Sequence, residues 1–484
     1  MLKRTVFLLI VAALALPAAA AASTTVANDG QTTLITGNGD DDDVTVELTF
    51  IGTPPISGNG LRVTNTAGVT PGPGCVPEGT NAVVCPQSPI TAELGEGADQ
   101  FRVYDPAFYG AQATVRGQGG GDTLGGGFAG EVDGGAGDDT LRTAGGYEGA
   151  ARAIGGAGTD TLEFAGYIQV GGSAGDGYGS NVAADVERLV GSAYEDYVTL
   201  GPDAGGDHEI QGGSGYDTVS YAGRSGAVKV DLGGTGTDDV AGDVESVVGG
   251  SGDDELSGTP AANSLSGGPG NDDLSGGDGS DGLFGGEGND TLNAGPGDDQ
   301  VAGAEGNDTL DGGPGEELLN GGTGGDTLRG GADKDTVSYY AFGYYDEGGP
   351  YSDGGYAQSD GGSSTSTTSE PGVSVSLDGA ANDGKTAEGD NVAADVEVIQ
   401  GSAGDDTITG GPGPNEIAGL EGADRIEGGD GDDQIQGGLG DDILNGGTGK
   451  DELRGGGNND QIDGGPGEDL AIGQDSEYEE VDGV

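Results

Sequence analysis

The chain has no tryptophan, one methionine and one histidine among its 484 residues. Lys and Arg number 16 against 85 Asp and Glu, which gives a formal net charge of −69. Phosphate binding needs clustered cations, so this shortage excludes nucleic acid as a partner and argues against binding to anionic membranes. His208-Glu209 also lacks the second histidine of an HExxH zinc site, which excludes that class of protease.

Long apolar runs are absent after the N-terminus. Residues 1–22 start with Lys3 and Arg4, continue as a short apolar stretch and end in alanines, which predicts a secretory signal peptide cleaved after Ala20 or Ala22. A membrane anchor is the alternative, which the short apolar core disfavours. We therefore expect a secreted, extracellular protein without direct membrane insertion.

Cysteine is scarce, with Cys75 and Cys85 only. In an exported chain, two cysteines flanking a Pro/Gly/Asn turn favour a disulfide that closes a hairpin. Metal ligation is the alternative, and no histidine lies nearby to support it. Residues 23–115, which contain this pair, alternate apolar and polar residues, so we expect a small β-rich domain.

Glycine, in contrast, is abundant, with 111 residues. Residues 249–338 (block 1) and 401–472 (block 2) repeat a nine-residue word, Gly-Gly-x-Gly-x-Asp-x-Leu-x, in ten and eight units. Without a period, this composition would indicate disorder. The fixed period instead predicts stacked units, because one unit cannot bury its own apolar face.

Each position of the word, numbered one to nine, has a structural interpretation. Positions seven to nine read polar–apolar–polar, which predicts a short strand with one inward side chain. Positions one to six form a glycine-rich turn in which backbone carbonyls can converge. Position six brings many carboxylates close together. A hard cation that accepts six to eight oxygens in flexible geometry relieves their repulsion, which favours calcium over magnesium.

The candidate metal ligands share this sixth position. They are Asp122, Asp139, Asp160, Asp217, Asp254, Asp272, Asp281, Asp290, Asp299, Asp308, Asp326, Asp335, Asp406, Asp424, Asp433, Asp442, Asp451, Asp460 and Asp469.

The units resemble the RTX, or haemolysin-type, calcium-binding repeat over residues 116–472. The resemblance implies an all-β fold, a right-handed parallel β-roll in which two nonapeptides make one turn. Units i and i+2 would then stack, with multiple Ca²⁺ ions held between successive turns. RTX proteins typically leave the cell without a cleaved leader, so the leader here argues against a pore-forming toxin.

The nonapeptides are grouped into a longer sequence repeat. NVAADVE occurs at 181–187 and 391–397, and GDVESVVGG at 242–250 is related to it. Three connectors, around Asp185, Asp243 and Asp395, therefore each precede one of three super-repeats. We expect the roll to restart after each connector. We expect the Asp residues of the connectors to cap a turn or face solvent as readily as to bind an ion.

In each super-repeat the second unit after the connector lacks Asp at position six. It carries His208, Asn263 or Asn415 there, and we interpret His208 as a lost calcium site. The predicted organisation is a signal peptide (1–22), the β-rich domain (23–115), degenerate repeats and connectors (116–248), block 1 (249–338), a Tyr/Ser/Gly-rich loop and connector (339–400), block 2 (401–472) and an acidic tail (473–484). The loop part, 339–372, is expected to be disordered.

Two motifs look catalytic, but their context argues against catalysis. GAANDGKT at 379–386 matches a phosphate-binding loop, yet an exported chain meets no ATP and a poor helix start follows. GGSAG at 171–175 is expected by chance in a glycine-rich chain. We expect a non-enzymatic calcium-binding protein with a structural, adhesive or surface/matrix role and an unidentified cell-surface or matrix partner. The alternative is the repeat-bearing part of a secreted RTX-type hydrolase or toxin.

Overall fold

The computed structural model contains strands and turns but no helix in the residues that it describes. These are 24–28, 33–37, 43–51, 58–65, 69–71, 73–78, 82–86, 89–103, 112–126, 129–143, 152–171, 180–202, 204–205, 207–234, 236–340, 372–385, 388–473 and 481–482. The predicted signal peptide, nearly all of the predicted disordered loop and most of the acidic tail lie outside them. Within these ranges no helix is long and apolar enough to cross a membrane.

The chain divides into two compact units, Met1–Asp139 and Thr140–Val484. The strands of the first unit are β1 Thr24–Asn28, β2 Thr33–Thr36, β3 Asp43–Ile51, β4 Gly58–Asn65, β5 Val69–Pro71, β6 Val76–Pro77, β7 Ala82–Pro86, β8 Ile90–Glu96, β9 Gln100–Val103, β10 Gln112–Gly119, β11 Thr123–Gly126 and β12 Ala129–Ala136.

The first unit starts with antiparallel pairs and continues as parallel ones. β3 pairs antiparallel with β4, and β4 with β7, whereas β8, β10 and β12 stack in parallel, as do β3, β9 and β11. A disulfide joins Cys75 to Cys85 beside the antiparallel pair β6–β7, as the sequence predicts. Alternating side chains such as Val63, Leu94 and Phe101 are fully buried between the strands.

The second unit contains many short strands. They are β13 Thr140–Thr143, β14 Arg152–Ala157, β15 Thr161–Glu163, β16 Tyr167–Val170, β17 Ser180–Val182, β18 Arg188–Val190, β19 Tyr197–Leu200, β20 Glu209–Gln211, β21 Thr218–Ser220, β22 Lys229–Asp231, β23 Asp239–Val240, β24 Ser246–Val248, β25 Glu255–Ser257, β26 Ser264–Pro269, β27 Asp273–Ser275, β28 Gly282–Glu287, β29 Thr291–Asn293, β30 Gln300–Glu305, β31 Thr309–Pro314, β32 Leu318–Thr323, β33 Thr327–Ala332, β34 Thr336–Ser338, β35 Val373–Ser376, β36 Gly384–Lys385, β37 Asn391–Val392, β38 Val398–Gln400, β39 Thr407–Thr409, β40 Glu416–Glu421, β41 Arg425–Asp430, β42 Gln434–Leu439, β43 Ile443–Thr448, β44 Glu452–Gly457, β45 Gln461–Asp463, β46 Leu470–Ile472 and β47 Val481–Asp482.

Strands two units apart pair in parallel, which makes both blocks a β-roll. Leu256 pairs with Leu274 in one sheet, and Leu265 with Leu283 in the other. Each pair is separated by two nonapeptides, so two units make one turn, as the family resemblance implied. The two faces of block 1 are β26, β28, β30, β32 and β34 on one side and β25, β27, β29, β31 and β33 on the other.

Position eight forms the core between the two faces. Its side chains from Leu256 to Ile462 are at most 4% exposed, and only the last one, Ala471, is more open. Several strands are longer than the three predicted residues. In β31 the pairing with β33 continues through Gly313 and Pro314, because glycine at positions one and two brings no side chain between the stacked backbones.

The connectors restart the roll on one face only, which corrects the expectation of a full restart. In the last connector (residues 339–400), β38 pairs with β34 on one side and β40 on the other, so that sheet runs unbroken. On the opposite face β37 closes the old sheet on β33, and β35 starts a new one with β39. In the middle connector (residues 221–248), β23 closes one sheet by pairing with β20, and β22 starts the next by pairing with β25.

We predict that glycine at position four is essential where the turns stack. A Cβ on Gly440, at φ +148°, would lie 1.5 Å from the Gly422 carbonyl oxygen. Gly440→Ala should lower the free energy of unfolding in calcium by at least about 1–3 kcal/mol, measured by urea denaturation. Gly413, at position four of another unit, has open space around its Cβ position. Gly413→Ala should change the free energy of unfolding by less than about 1 kcal/mol. Equal losses in the two variants would contradict the stacking.

Candidate metal sites in the glycine-rich turns

The position-six aspartates are buried, although they are charged side chains. All nineteen candidate ligands are between 0 and 8% exposed. Buried carboxylates are rare unless hydrogen bonds or cations compensate them. Their surroundings therefore decide what the turns can bind.

One carboxylate oxygen of each stacked aspartate is held by the neighbouring turn. The Asp254 N–H donates to Asp272 Oδ1 at 2.7 Å, and the Asp272 N–H donates to Asp290 Oδ1 at 2.8 Å. The same ladder joins Asp424 to Asp442 at 2.9 Å in block 2. This bond fixes the carboxylate on the inner side of the turn.

The other carboxylate oxygen, Oδ2, is buried without a hydrogen-bond donor in most described turns. This holds for Asp122, Asp217, Asp272, Asp281, Asp290, Asp299, Asp308, Asp326, Asp335, Asp424, Asp433, Asp442, Asp451 and Asp469. An uncompensated buried polar atom costs on the order of 1–3 kcal/mol, and more when it is charged. A regular row of such atoms therefore calls for a cation.

Glycine at position one leaves a space next to the Oδ2 oxygen in most of these units; Ala294 occupies that position in the unit of Asp299. A Cβ on Gly285 would lie 2.4 Å from Asp290 Oδ2 and 2.7 Å from the Gly303 carbonyl oxygen. At Gly428, both corresponding oxygens, from Asp433 and Gly446, would lie at 2.5 Å. The space that a side chain would fill is thus bounded by a carboxylate and a carbonyl oxygen.

This donor set fits calcium, which accepts carboxylate and carbonyl oxygens at about 2.3–2.6 Å. Within the described residues, no group of three or more His, Cys, Asp or Glu side chains forms a metal site by itself. Turn carbonyls must therefore complete the coordination shell, as the glycine content of positions one to six predicts. The carboxylates would supply the charge and the stacked turns the remaining oxygens.

A second ladder, of opposite polarity, holds the outer side of the turns. At position five, the Asn289 N–H donates to Asn271 Oδ1 at 2.9 Å, and the Asn271 N–H to Asp253 Oδ1 at 2.9 Å. These side chains are exposed and accept from the following turn, whereas position six accepts from the preceding one. The two ladders together fix the turn that carries the inner oxygens.

The burial of these carboxyl groups changes their protonation. Burial, opposed by the hydrogen bond from the preceding turn, raises the pKa of Asp272 and Asp424 to about 7. Neighbouring carboxylates raise it further. The metal-free turns therefore hold protons near neutral pH that a cation would displace.

The first aspartate of each block differs from the rest. Asp254 Oδ1 accepts from the Val228 N–H at 2.7 Å, and its Oδ2 accepts from the Gly250 N–H at 2.5 Å. Asp406 is bonded in the same way by Val373 and Ser402, at 2.8 Å each. Both oxygens are satisfied by the protein, so these two candidate ligands are the least available of the blocks.

Some buried acids at position six were missed from the sequence although the position itself indicated them. Glu317 is 2% exposed, and its carboxyl group faces that of Asp335. Burial raises its pKa well above the ordinary value, and the facing carboxylate of Asp335 adds to this. Asp99 and Asp196 are buried at the same position of degenerate units. Asp99 starts the ladder that leads to Asp122.

The glutamates of the connectors were also missed. Glu187, Glu245 and Glu397 each end the Asp-Val-Glu sequence that the three connector motifs share. Their carboxylates accept from the N–H groups of Asp160, Asp217 and Asp335, at 2.8, 2.8 and 3.2 Å. The recurrence of the motif was the available signal, because each glutamate occupies the place of a stacked aspartate.

The connector aspartates Asp185 and Asp243 serve as caps. Asp185 accepts from two consecutive glycine N–H groups, those of Gly155 and Gly156, both at 3.2 Å. Asp243 accepts in the same way from a later glycine pair, at 3.2 and 3.0 Å. Capping a turn was one of the roles expected for them.

His208 lies in a position-six slot and faces an internal acid. Its Nδ1 is 2.7 Å from Asp238 Oδ1, and its N–H donates to the same oxygen at 2.9 Å. Arg224 Nη2 is 3.4 Å from Asp238 Oδ2. The slot is thus occupied by side chains of the protein, in keeping with the interpretation of a lost calcium site.

Comparison with known families agrees with this geometry. The model of the RTX calcium-binding nonapeptide repeat matches residues 248–283, 281–310, 311–341, 394–413, 409–444 and 436–471. The two blocks are RTX calcium-binding repeats. No curated protein matches the chain. Residues 1–247, 342–393 and 472–484 lie outside the matched segments.

We predict that calcium binding releases protons at pH 6. The ordinary Asp pKa is near 3.8, and that of Asp308 in the RTX roll is raised to about 7, chiefly by burial. As the pH rises from 4 to 7, the unfolded chain loses protons that the metal-free roll keeps, so the free energy of unfolding of that roll falls. Calcium needs the charged form, so its affinity should rise over the same window.

Calorimetric titrations at pH 6 in two buffers of different ionisation enthalpy measure this release. The apparent binding enthalpies should differ between the buffers at pH 6 and converge at pH 8, where the carboxyl groups are already ionised. Identical enthalpies at pH 6 would contradict the raised pKa values.

Proposed function

We propose that this protein is secreted and that its RTX blocks fold when their turns bind multiple calcium ions. The observation that carries the proposal is the row of buried Asp Oδ2 oxygens without donors, most of them beside a glycine and several also beside a carbonyl oxygen. Its role is structural, adhesive or part of a surface or matrix, without enzymatic activity.

The thin core supports folding on calcium. In block 2 the buried apolar side chains are those at position eight, one in nine residues. Ordering the backbone costs about 1–2 kcal/mol per residue, which so small a core cannot offset. Calcium at ten times its dissociation constant adds about 1.4 kcal/mol per independent site, so a dozen sites supply on the order of 17 kcal/mol. Each ion also neutralises two of the excess negative charges.

Secretion is supported by the leader and by the ion itself. Extracellular calcium is plentiful, so weak sites fill there. N-terminal sequencing of protein recovered from the medium tests secretion, and an uncleaved cell-bound chain would refute it. The alternative, part of a secreted hydrolase or toxin, requires activity on generic ester, peptide or glycan substrates, which we do not expect.

We predict that the chain is not uniformly dependent on calcium. The described parts of residues 152–248 bury additional apolar side chains, such as Phe164, Leu200, Tyr221 and Val244. In EDTA, backbone amides in these parts should exchange with solvent more slowly than those of block 2. Calcium should then protect block 2 and raise the β-sheet signal in far-UV circular dichroism. Full protection of block 2 in EDTA would refute folding on calcium.

We predict that single position-six substitutions in block 2 differ sharply. Asp442→Ala removes a carboxylate with one unpaired buried oxygen and should lower calcium stoichiometry and cooperativity. Asn415 occupies the same position, but its Oδ1 already accepts from the Gly411 N–H at 2.7 Å. Asn415→Ala should leave stoichiometry unchanged. Equilibrium dialysis measures both, and equal effects would show that the assigned position is wrong.

A further inference from the structure

The middle and last connectors share one backbone frame. Val228 N–H and Val373 N–H donate to Asp254 and Asp406, the first aspartates of the two blocks. Both connectors close one sheet and open the next on the same face of the roll. Differences between them at equivalent positions therefore reflect side chains rather than architecture.

The equivalent acids are Asp238 and Asp390. The His208 N–H donates to Asp238 Oδ1 at 2.9 Å, and the Asp326 N–H donates to Asp390 Oδ1 at 3.0 Å. A histidine in the middle connector thus corresponds to an aspartate in the last one. A tyrosine follows the preceding strand in both: Tyr221, which is buried, and Tyr339, which is half-buried.

The middle connector neutralises its acid with its own side chains. The Asp238 side chain is 0% exposed, with His208 Nδ1 2.7 Å from Oδ1 and Arg224 Nη2 3.4 Å from Oδ2. The Arg224 guanidinium carbon lies 5.0 Å from the centre of the Tyr221 ring. A guanidinium is always charged, so this carboxylate has a permanent internal counterion.

The last connector places carboxylates where the middle one has cations. Asp390 and Asp326 are each 1% exposed, and the Oδ2 oxygen of Asp326 has no hydrogen-bond donor. The Tyr339 hydroxyl hydrogen-bonds to the Asp390 carboxyl group, and the neighbouring carboxylates of Asp326 and Glu388 both act on that group. Buried carboxylates that repel one another favour a bound cation between them.

Other groups define the space around Asp390. A Cβ on Gly384 would lie 2.3 Å from Asp390 Oδ2 and 3.2 Å from Glu388 Oε2, so two carboxylates face the bare side of this glycine. Glu388 Oε2 also accepts from the Lys385 N–H at 2.7 Å. Asp383 adds a further buried carboxylate, whose oxygens accept from two backbone N–H groups.

Access and additional oxygens are both present. A cleft of about 450 Å³, lined in part by Asp383, Gly384, Lys385 and Gly389, opens beside these groups. The carbonyl oxygens of Glu388 and Gly389 would lie 3.0 and 3.6 Å from a Cβ on Gly325, next to Asp326 in the chain. Carboxylates and carbonyls are the ligands that calcium accepts.

We propose that the last connector binds a further calcium ion through Asp390 and Glu388, with turn carbonyls completing the shell. This ion performs the role of Arg224 and His208 in the middle connector. The site lies outside every segment that matches the nonapeptide repeat, so it extends the proposed calcium binding to a new element. The proposed site connects the end of block 1 to β37, the strand that closes the sheet of that block.

The test compares Asp390→Asn with the matched variant Asp238→Asn in the full chain. Calcium bound at saturation is measured by equilibrium dialysis, and circular dichroism confirms folding. Asp390→Asn should lose one calcium ion per chain, whereas Asp238→Asn should lose none. Unchanged stoichiometry in Asp390→Asn, or the same loss in both, would overturn the connector site.

Asp442→Ala separates this proposal from the function of the repeats. If Asp442→Ala loses calcium and Asp390→Asn does not, the connector site fails while calcium binding by the repeats stands. If neither variant loses calcium, both proposals fail.

Terbium provides a second measurement that does not alter the ligands. The chain has no tryptophan, so terbium emission is sensitised by tyrosine alone. Tyr339→Phe should keep the stoichiometry and reduce sensitised emission more than Tyr221→Phe, whose tyrosine lies beside Arg224. Equal emission from the two variants would overturn the site.

Discussion

The structure depends on one arrangement: a carboxylate oxygen that is buried in most of the stacked turns without a donor from the protein. The neighbouring turn supplies a single N–H to each position-six aspartate, and that bond engages Oδ1 only. The second oxygen stays buried at a cost that grows with each added turn. The prevalence of glycine at position one is consistent with this arrangement, because a Cβ there would lie close to this oxygen. Under the proposed function, cations that enter between the turns compensate these oxygens.

The degenerate part of the chain meets the same constraint in another way. A connector glutamate accepts a hydrogen bond from the N–H of a position-six aspartate, and a glycine N–H donates to a connector aspartate. Arg224 and His208 neutralise Asp238. Its core is also larger than one apolar residue per unit. One chain thus combines turns whose carboxylates are paired within the protein with turns whose Oδ2 oxygens have no donor. A few side chains on a common backbone frame determine which of these two kinds a turn belongs to.

The sequence predicts the regular blocks well because a strict period constrains every unit equally. Position eight as core, position six as buried acid and the pairing of units i and i+2 follow from the nonapeptide and the family resemblance. The continuous sheet through the last connector could not be predicted. It depends on β37 pairing only with block 1 and on β38 pairing with both blocks. The pairing of His208 with Asp238, 30 residues later, likewise has no local signal.

The connectors show why the roll tolerates a long insertion. Ser338 Oγ donates to Gln400 Oε1 although 62 residues separate them, whereas stacked units in the blocks are 18 apart. Loop-closure entropy grows only with the logarithm of length, so the longer excursion costs about 1 kcal/mol more. That cost is comparable to one additional hydrogen bond or a fraction of one ion site. A solenoid in which each turn contacts only its neighbours can therefore accept new segments between turns, provided that the stacked carboxylates on either side remain in register.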